Sequence, residues 1–411
     1  MLRFDSSFLT TTSFLNLWVE SVHFLWLLPL IFCLTAIGYY SYAIYSAHKF
    51  FSQFESINTH FQPSVSILKP VCGCDRYAYE NLSSFCVQKY SNYQIIFAVH
   101  DSADSGIAVI RQIMRDFPEI DIQLVISDRA VGANRKVNNL ANAFTKAAYD
   151  VVVMADNDVR VEPNYLQQVI QPLSRPNVGV VTCLYRSITE GWLTGLEALS
   201  SATEFLPGVL VSNQLEGIKF AMGQTIVLRR SVLDKIGGFA AIADYLADDF
   251  QLGHLPTQVG SQVVLSHHLV DHVMATSMIM GALQRQLRWM VGIRVSRPWG
   301  YLGLIFTHGT VASLFFWFIT QGSLLGWIVL GITWVSRLTM AWFIGLHCIG
   351  DPVAKKLLWL VPLRDLISFT LWCYGFWGDT IKWRDQQFKL TRTGKLIAQP
   401  PQLEQVKPLV S

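Results

Sequence analysis

The chain has 411 residues, 51% of them hydrophobic, a mean hydropathy of +0.33 and a formal net charge of +3. That is too apolar for an ordinary cytosolic enzyme, so part of the chain belongs in lipid. The charge is too small to argue nucleic-acid binding, and seven scattered cysteines without a paired ligand or redox spacing read as reduced thiols.

Residues 24–45 are apolar over roughly the 20 positions that a spanning helix needs, with Trp26, Tyr39, Tyr40, Tyr42 and Tyr45 suited to the interface. His48 and Lys49 follow, so the positive-inside tendency puts the next segment in the cytoplasm. From about residue 63 to 298, short apolar runs alternate with polar, helix-like stretches, the pattern of an α/β domain. Strands are expected at 65–68, 93–99, 122–126, 151–154, 178–183 and 220–228. Helices are expected at 79–89, 137–148, 193–210, 231–236 and 278–295.

The 151–154 run is apolar without alternation, as in a strand covered on both faces, and it ends in Ala155-Asp156-Asn157-Asp158. Ligands of α/β sheets bind at such strand ends. A hard divalent cation, Mg²⁺ or Mn²⁺, would explain the pairing of Asp156 with Asp158, because it favours carboxylate and phosphate oxygens. The competing reading is a turn whose side chains cap the next helix. Asp104 follows the second strand and could meet a ribose or base. Lys136 and Arg135 could meet phosphate, with Gly132 allowing close backbone approach, or Gly132 and Asn134 merely shape the entry to a helix. Neither GxGxxG nor a Walker lysine is present.

Asp248 and Asp249 are adjacent like charges, which raise a pKa or face a cation if desolvated; this suits a general base, the alternative being a solvated helix start. His267, His268, Asp271 and His272 form the densest histidine cluster. His268 and His272 have a spacing that zinc sites use on helices, but the accompanying glutamate is missing, so hydrogen bonding in a loop or strand is expected. Arg285 and Arg288 share a helix face, where two guanidiniums fit a diphosphate and Trp289 offers an apolar surface to a sugar or lipid. An interfacial helix touching headgroups is the alternative.

Three apolar blocks follow, at 301–320, 324–349 and 357–377. The first two read as spans. The third contains Arg364 and Asp365, costly in lipid unless paired or facing protein, so a re-entrant or interfacial helix with a cytosolic basic tail is expected.

In this order, Asp104, Asp156, Asp249 and Arg285-x-x-Arg288-Trp289 resemble the ceramide glucosyltransferase family, glycosyltransferase family 21, within the inverting GT-A group. The runs 65–70, with Lys69, and 136–140, 232–234 and 381–384 add to the likeness, which covers most of the chain. The resemblance implies a GT-A, Rossmann-like cytosolic domain with one N-terminal and two to three C-terminal membrane helices. The expected divisions are 1–50, 60–298, 299–384 and a tail at 385–411. It implies a UDP-sugar donor and a lipid hydroxyl as acceptor, UDP-glucose being favoured. Asp104, Lys69, Lys136, Arg285, Arg288 and Trp289 would bind the donor, Asp156 and Asp158 the metal, and Asp249 with Asp248 would carry the base. Asp158 stands where some members have glycine and Asp248 where others have glutamate. A processive polysaccharide synthase and a noncatalytic scaffold or transporter are the alternatives.

Overall fold

In a computed structural model, the chain is described over residues 7–53, 58–275, 278–383 and 386–399. Eight strands make one sheet: β1 (Val65–Pro70), β2 (Tyr93–Val99), β3 (Asp121–Ile126), β4 (Val151–Met154), β5 (Val159–Arg160), β6 (Val178–Thr189), β7 (Ile226–Arg229) and β8 (Gln262–Met274). Their order is β3-β2-β1-β4-β7-β6-β8-β5. Strands β3, β2, β1 and β4 run parallel, while β7 is antiparallel to both neighbours. Every residue of β1, β2 and β4 is buried, as in strands with both faces covered, and the polar Ser66 and Gln94 within β1 and β2 bond each other (2.8 Å). The chain travels outward from β1 to β3, then returns to place β4 on the other side of β1. That reversal opens a crevice at the carboxyl ends of β1 and β4.

Two expected elements differ in detail. The 220–228 strand begins only at Ile226, because Met222 and Thr225 close a turn around Gly223. The 193–210 helix is Trp192–Ser200, a wider turn at Ser201–Phe205, then Leu206–Glu216. Pro207, with no N–H to offer the preceding turn, sits where the α-helix resumes.

Three helices are long and apolar enough to cross a membrane among the described residues: Trp26–Phe51, Leu324–Cys348 and Pro352–Tyr374. The first C-terminal block is not one straight span: Pro298–Thr307 and Gly309–Ile319 meet at a 51° bend. The bend is stabilised from the N-terminal helix, whose Tyr40 hydroxyl donates to Thr307 O (2.8 Å) and accepts from Gly309 N (3.1 Å). A methyl group at Gly309 would stand 2.8 Å from Ala36 Cβ and 3.0 Å from Thr333 Cγ2, so the crossing of three helices requires glycine there. The N-terminal helix is also fastened to β8, where the His267 ring stacks on Phe50 at 4.3 Å and its Nε2 lies 2.9 Å from Phe50 O.

Arg364 and Asp365 face protein. Arg364 donates to Gln286 Oε1 (2.8 Å), and Asp365 takes both Nε (3.1 Å) and Nη2 (2.7 Å) of buried Arg337 and the Thr310 hydroxyl. The helix carrying them starts and finishes beside the α/β domain: Asp351 accepts from Ser187 N in β6, and Arg294 donates to Phe376 O and Gly378 O.

The stretch expected as a basic tail from 385 is instead folded through Ala398. β9 (Thr380–Trp383), β10 (Gln386–Leu390) and β11 (Leu396–Ala398) form an antiparallel sheet, and Arg384 lies outside the described residues. Alternate apolar residues Ile381, Phe388, Leu390 and Leu396 bury against Val291 and Leu246, which binds the sheet to the domain.

Replacing Arg337 by Met strands Asp365 in an apolar bundle and should destabilise the detergent-solubilised protein by about 3–5 kcal/mol, whereas Arg337→Met with Asp365→Leu should recover most of the loss. Thermal unfolding of the three variants checks this.

Candidate active site

Asp156 leaves β4 into the crevice. Its Oδ1 lies 2.7 Å from Lys136 Nζ, which also lies 3.4 Å from Asp248 Oδ2. Asp249 Oδ2 accepts from Gly223 N (3.2 Å) and Oδ1 from Phe250 N (2.8 Å). A Cβ at Gly223 would stand 2.9 Å from Asp156 Oδ2, 3.1 Å from Lys136 Nζ and 3.6 Å from Asp249 Oδ2. Residues some 90 positions apart in sequence thus meet around one glycine, with Pro70, Leu140, Met154 and Leu252 lining the pocket.

Local structure explains how Lys136 arrives. Asn134 caps the Arg135–Phe144 helix, its Oδ1 accepting from Lys136 N (2.9 Å) and Val137 N (3.3 Å). Its Nδ2 donates to Tyr245 O and Asp248 Oδ1, tying the lysine's helix to the acid pair. Gly132 packs against the chain's own Ala243, whose Cβ would be 2.5 Å from one added at Gly132. With the Asn134 cap, this is the packing that the helix-entry reading of Gly132 and Asn134 expects.

Three carboxylates surround one ammonium, and the imbalance shows at Asp249 and Asp156. Burial, then the charge of Asp248, pushes Asp249 up to about 6, against the pull of Lys136. Burial likewise raises Asp156, with Lys136 opposing and Asp158 reinforcing. Burial works to lower Lys136, but Asp156, Asp248 and Asp249 outweigh it and hold the ammonium above its ordinary range.

Asp158 turns to β8. Its carbonyl accepts from Val273 N (2.8 Å) and its Oδ2 lies 3.3 Å from His272 Nε2. Burial works to raise Asp158, but His272 and then Lys69 hold it below the usual range. The histidine trio stands on a strand, where His268 and His272 are separated by roughly 13 Å, too far to share an ion. His268 instead bonds Gln168 (2.7 Å). The expected hydrogen-bonding role is what the fold shows.

Asp104 stands on the same sheet edge, after β2. It accepts from Gly73 N (2.9 Å) and Gly106 N (2.8 Å), fastening the loop after β1 to the helix Gly106–Asp116. Asp75 in that loop was not foreseen; burial raises its pKa, and Asp158 adds to the effect. The signal was a third acid shortly after a strand.

Lys69, expected at the donor, is wholly buried on β1, its ammonium donating to Asp156 O (2.5 Å) and lying 3.9 Å from the Phe85 ring centre. Desolvation brings it down to about 7 against the pull of Asp156 and Asp158. From there it supports the Asp156 turn from beneath.

Arg285, Arg288 and Trp289 lie on the Ile279–Ser296 helix. Arg285 Nε and Nη2 each reach Glu197 at 2.6 Å, and Asp158 also acts on its charge. Arg288 lies over Trp383 at 5.4 Å, and burial, then Arg285, lowers it to about 10. Trp289 is exposed. Glu197, 1% exposed, was missed; the signal was a single carboxylate in the apolar stretch 192–200.

A cation here would take few protein ligands, since among the described residues no three His, Cys, Asp or Glu side chains are grouped to enclose one. The excess of carboxylates over Lys136, with buried Asp248 Oδ2 lacking a hydrogen-bond donor, nonetheless suits a cation that brings phosphate and water ligands.

Residues 28–396 match the model of Glycosyl transferase family 21. Ceramide glucosyltransferase 1 of Caenorhabditis elegans is 24% identical over 355 residues, 81% of this chain and 73% of that protein. Ceramide glucosyltransferase 3 of the same animal is 25% identical over 385 residues, 90% of this chain and 81% of that protein. The solved mannosyltransferase PcManGT from Pyrobaculum calidifontis, in complex with GDP-Man and Mn²⁺, aligns with a TM-score of 0.52 at 16% identity, covering 85% of this chain and 96% of that one. That likeness is one of fold, and the expected GT-A-type α/β domain with flanking apolar helices is the one present.

Asp249 generates a stability prediction. An unfolded aspartate titrates near 3.8 and the folded one near 6, so in between the native state holds a proton that the unfolded chain releases. Its ionisation costs stability as pH rises through that window, fully so above it. Asp249→Asn should raise the unfolding midpoint by roughly a few degrees at about pH 8, with little change near pH 4. Scanning fluorimetry at both pH values checks the sign.

Proposed function

The chain belongs to glycosyl transferase family 21, and from that premise we propose that it moves a hexose from a UDP-sugar to a hydroxyl of a membrane lipid, as an inverting glycosyltransferase of glycolipid synthesis. The relatives named ceramide glucosyltransferase favour UDP-glucose as donor and a ceramide-like acceptor. The observation that carries the reading is the convergence of Asp156, Lys136 and Asp249 at Gly223, on a sheet edge of the fold that an enzyme binding GDP-Man and Mn²⁺ also uses.

Asp249 is the base. With its carboxyl near 6 it is ionised at neutral pH yet basic enough to take the proton of a lipid hydroxyl as that oxygen attacks the anomeric carbon. In-line attack inverts that centre, and the bond to the diphosphate breaks without a covalent sugar intermediate. Held by Asp156 and Asp158 together with the donor's phosphates, Mg²⁺ or Mn²⁺ would neutralise charge on the leaving group. Lys136 opposes the burial that raises Asp156, and Asp104 binds the nucleoside end. Arg285 and Arg288 contribute positive charge at the diphosphate, about 3 kcal/mol for one well-aimed group. The acceptor arrives from the bilayer, since the catalytic domain packs against the membrane helices through a shared core reaching Tyr40, Leu206 and Met340.

We place the catalytic domain on the cytosolic face, with the Pro352–Tyr374 helix re-entering because both its ends return to that domain.

Asp249→Asn should lower turnover by about 10²- to 10⁴-fold with UDP binding nearly kept, and wild-type kcat/KM should fall as pH drops below about 6, since the base must be unprotonated. Radiolabelled transfer to lipid measures both; equal turnover in the variant, or a long polymer as product, overturns the reading. For the topology, an impermeant thiol reagent should label cysteines introduced at Gly350 and Lys389 from one membrane face and at Gln321 from the other.

A further inference from the structure

Glu197 lies on the Trp192–Ser200 helix, in a stretch otherwise made of apolar and small residues, and is 1% exposed. A carboxylate so placed is costly unless paired. Its two oxygens meet Nε and Nη2 of Arg285, both at 2.6 Å, a fork-to-fork pairing that fixes the plane and direction of the guanidinium. Three residues on, Arg288 repels Arg285; burial and that repulsion together bring Arg288 down to about 10, while Glu197 acts in the opposite sense. One buried anion thus keeps two cations side by side on one helix.

The pairing also ties two elements that differ in origin. The Ile279–Ser296 helix carries the arginines, and the Trp192–Ser200 helix continues β6 toward the membrane bundle. The charge of Asp158, which follows β4 at the strand end, acts on Arg285, while the direction of the guanidinium is set by Glu197.

We propose that Glu197 is a positioning residue: it aims Arg285 at the diphosphate of the donor, so that affinity for the nucleotide depends on a carboxylate that never touches it. The inference rests on the nucleotide-sugar reading above and assigns to that site a residue outside the acid cluster and the arginine helix.

The test is a double-mutant cycle on the full-length chain in detergent, reading UDP affinity with Mn²⁺ by calorimetry. Glu197→Ala and Arg285→Ala should each weaken UDP by roughly ten- to a hundredfold, the range of a hydrogen bond to a charged group. In the Arg285→Ala background, Glu197→Ala should add less than about twofold, because its effect passes through the arginine. Glu197→Asp, which keeps the charge, should recover part of the affinity, and Glu197→Gln, if the alanine variant does not fold, should stand in for it. Equal weakening by Glu197→Ala in both backgrounds, or none in either, overturns the role of Glu197. Wild-type UDP binding that Asp156→Asn weakens would then leave the nucleotide-sugar reading standing; wild type that binds no UDP removes both.

Discussion

Three carboxylates crowd around a single ammonium at the open end of a parallel sheet, and most of what is unusual in this chain follows from that imbalance. Asp156, Asp248 and Asp249 are drawn in from two different loops and cannot all be ionised there at low cost. Lys136 offsets part of the repulsion, Asn134 holds the lysine's helix and the acid loop together, and Gly223 supplies the space in which the groups meet. What remains is an excess of negative charge, which burial makes costly for the resting fold.

The walls of that site come from parts of the chain with little in common. Strand β11 joins the 244–246 segment through Leu396 N to Asp244 O and Leu246 N to Gly394 O, just ahead of the acid pair. Its sheet also carries Trp383 beneath Arg288. A carboxy-terminal sheet that looks peripheral thus steadies both the loop of Asp248 and Asp249 and the helix of Arg285 and Arg288. Glu197 does the same from the side of the bundle. The arginine helix is held between these supports.

Within the apolar helices, several charged and polar side chains find protein partners. Tyr40 serves both groups released at the helix bend, Arg337 answers Asp365, and Arg364 answers to Gln286. These contacts fasten the apolar helices to one another and to the α/β domain.

Elements whose signal is local could be read from the residues alone. Short apolar-rich runs marked β1, β2 and β4, the acids after β2 and β4 marked the sheet edge, and long apolar blocks marked the membrane segments, because burial on both faces or in lipid leaves its trace in consecutive residues. The order of Asp104, Asp156, Asp249 and the arginine pair carried the likeness to the family that the chain matches. What stayed hidden depends on distance across the fold. Nothing local announces that Lys69 lies in the core beneath Asp156, or that the hydrogen-bond partners of His268 and His272 are Gln168 and Asp158. Glu197 and the carboxy-terminal sheet had no pattern that named their partners, since Arg285 and Leu246 are some 90 and 150 positions away. Local periodicity decides which elements form, whereas which charges meet is decided only when those elements pack, because no rule of spacing along the chain constrains side chains brought together from opposite ends of a sheet.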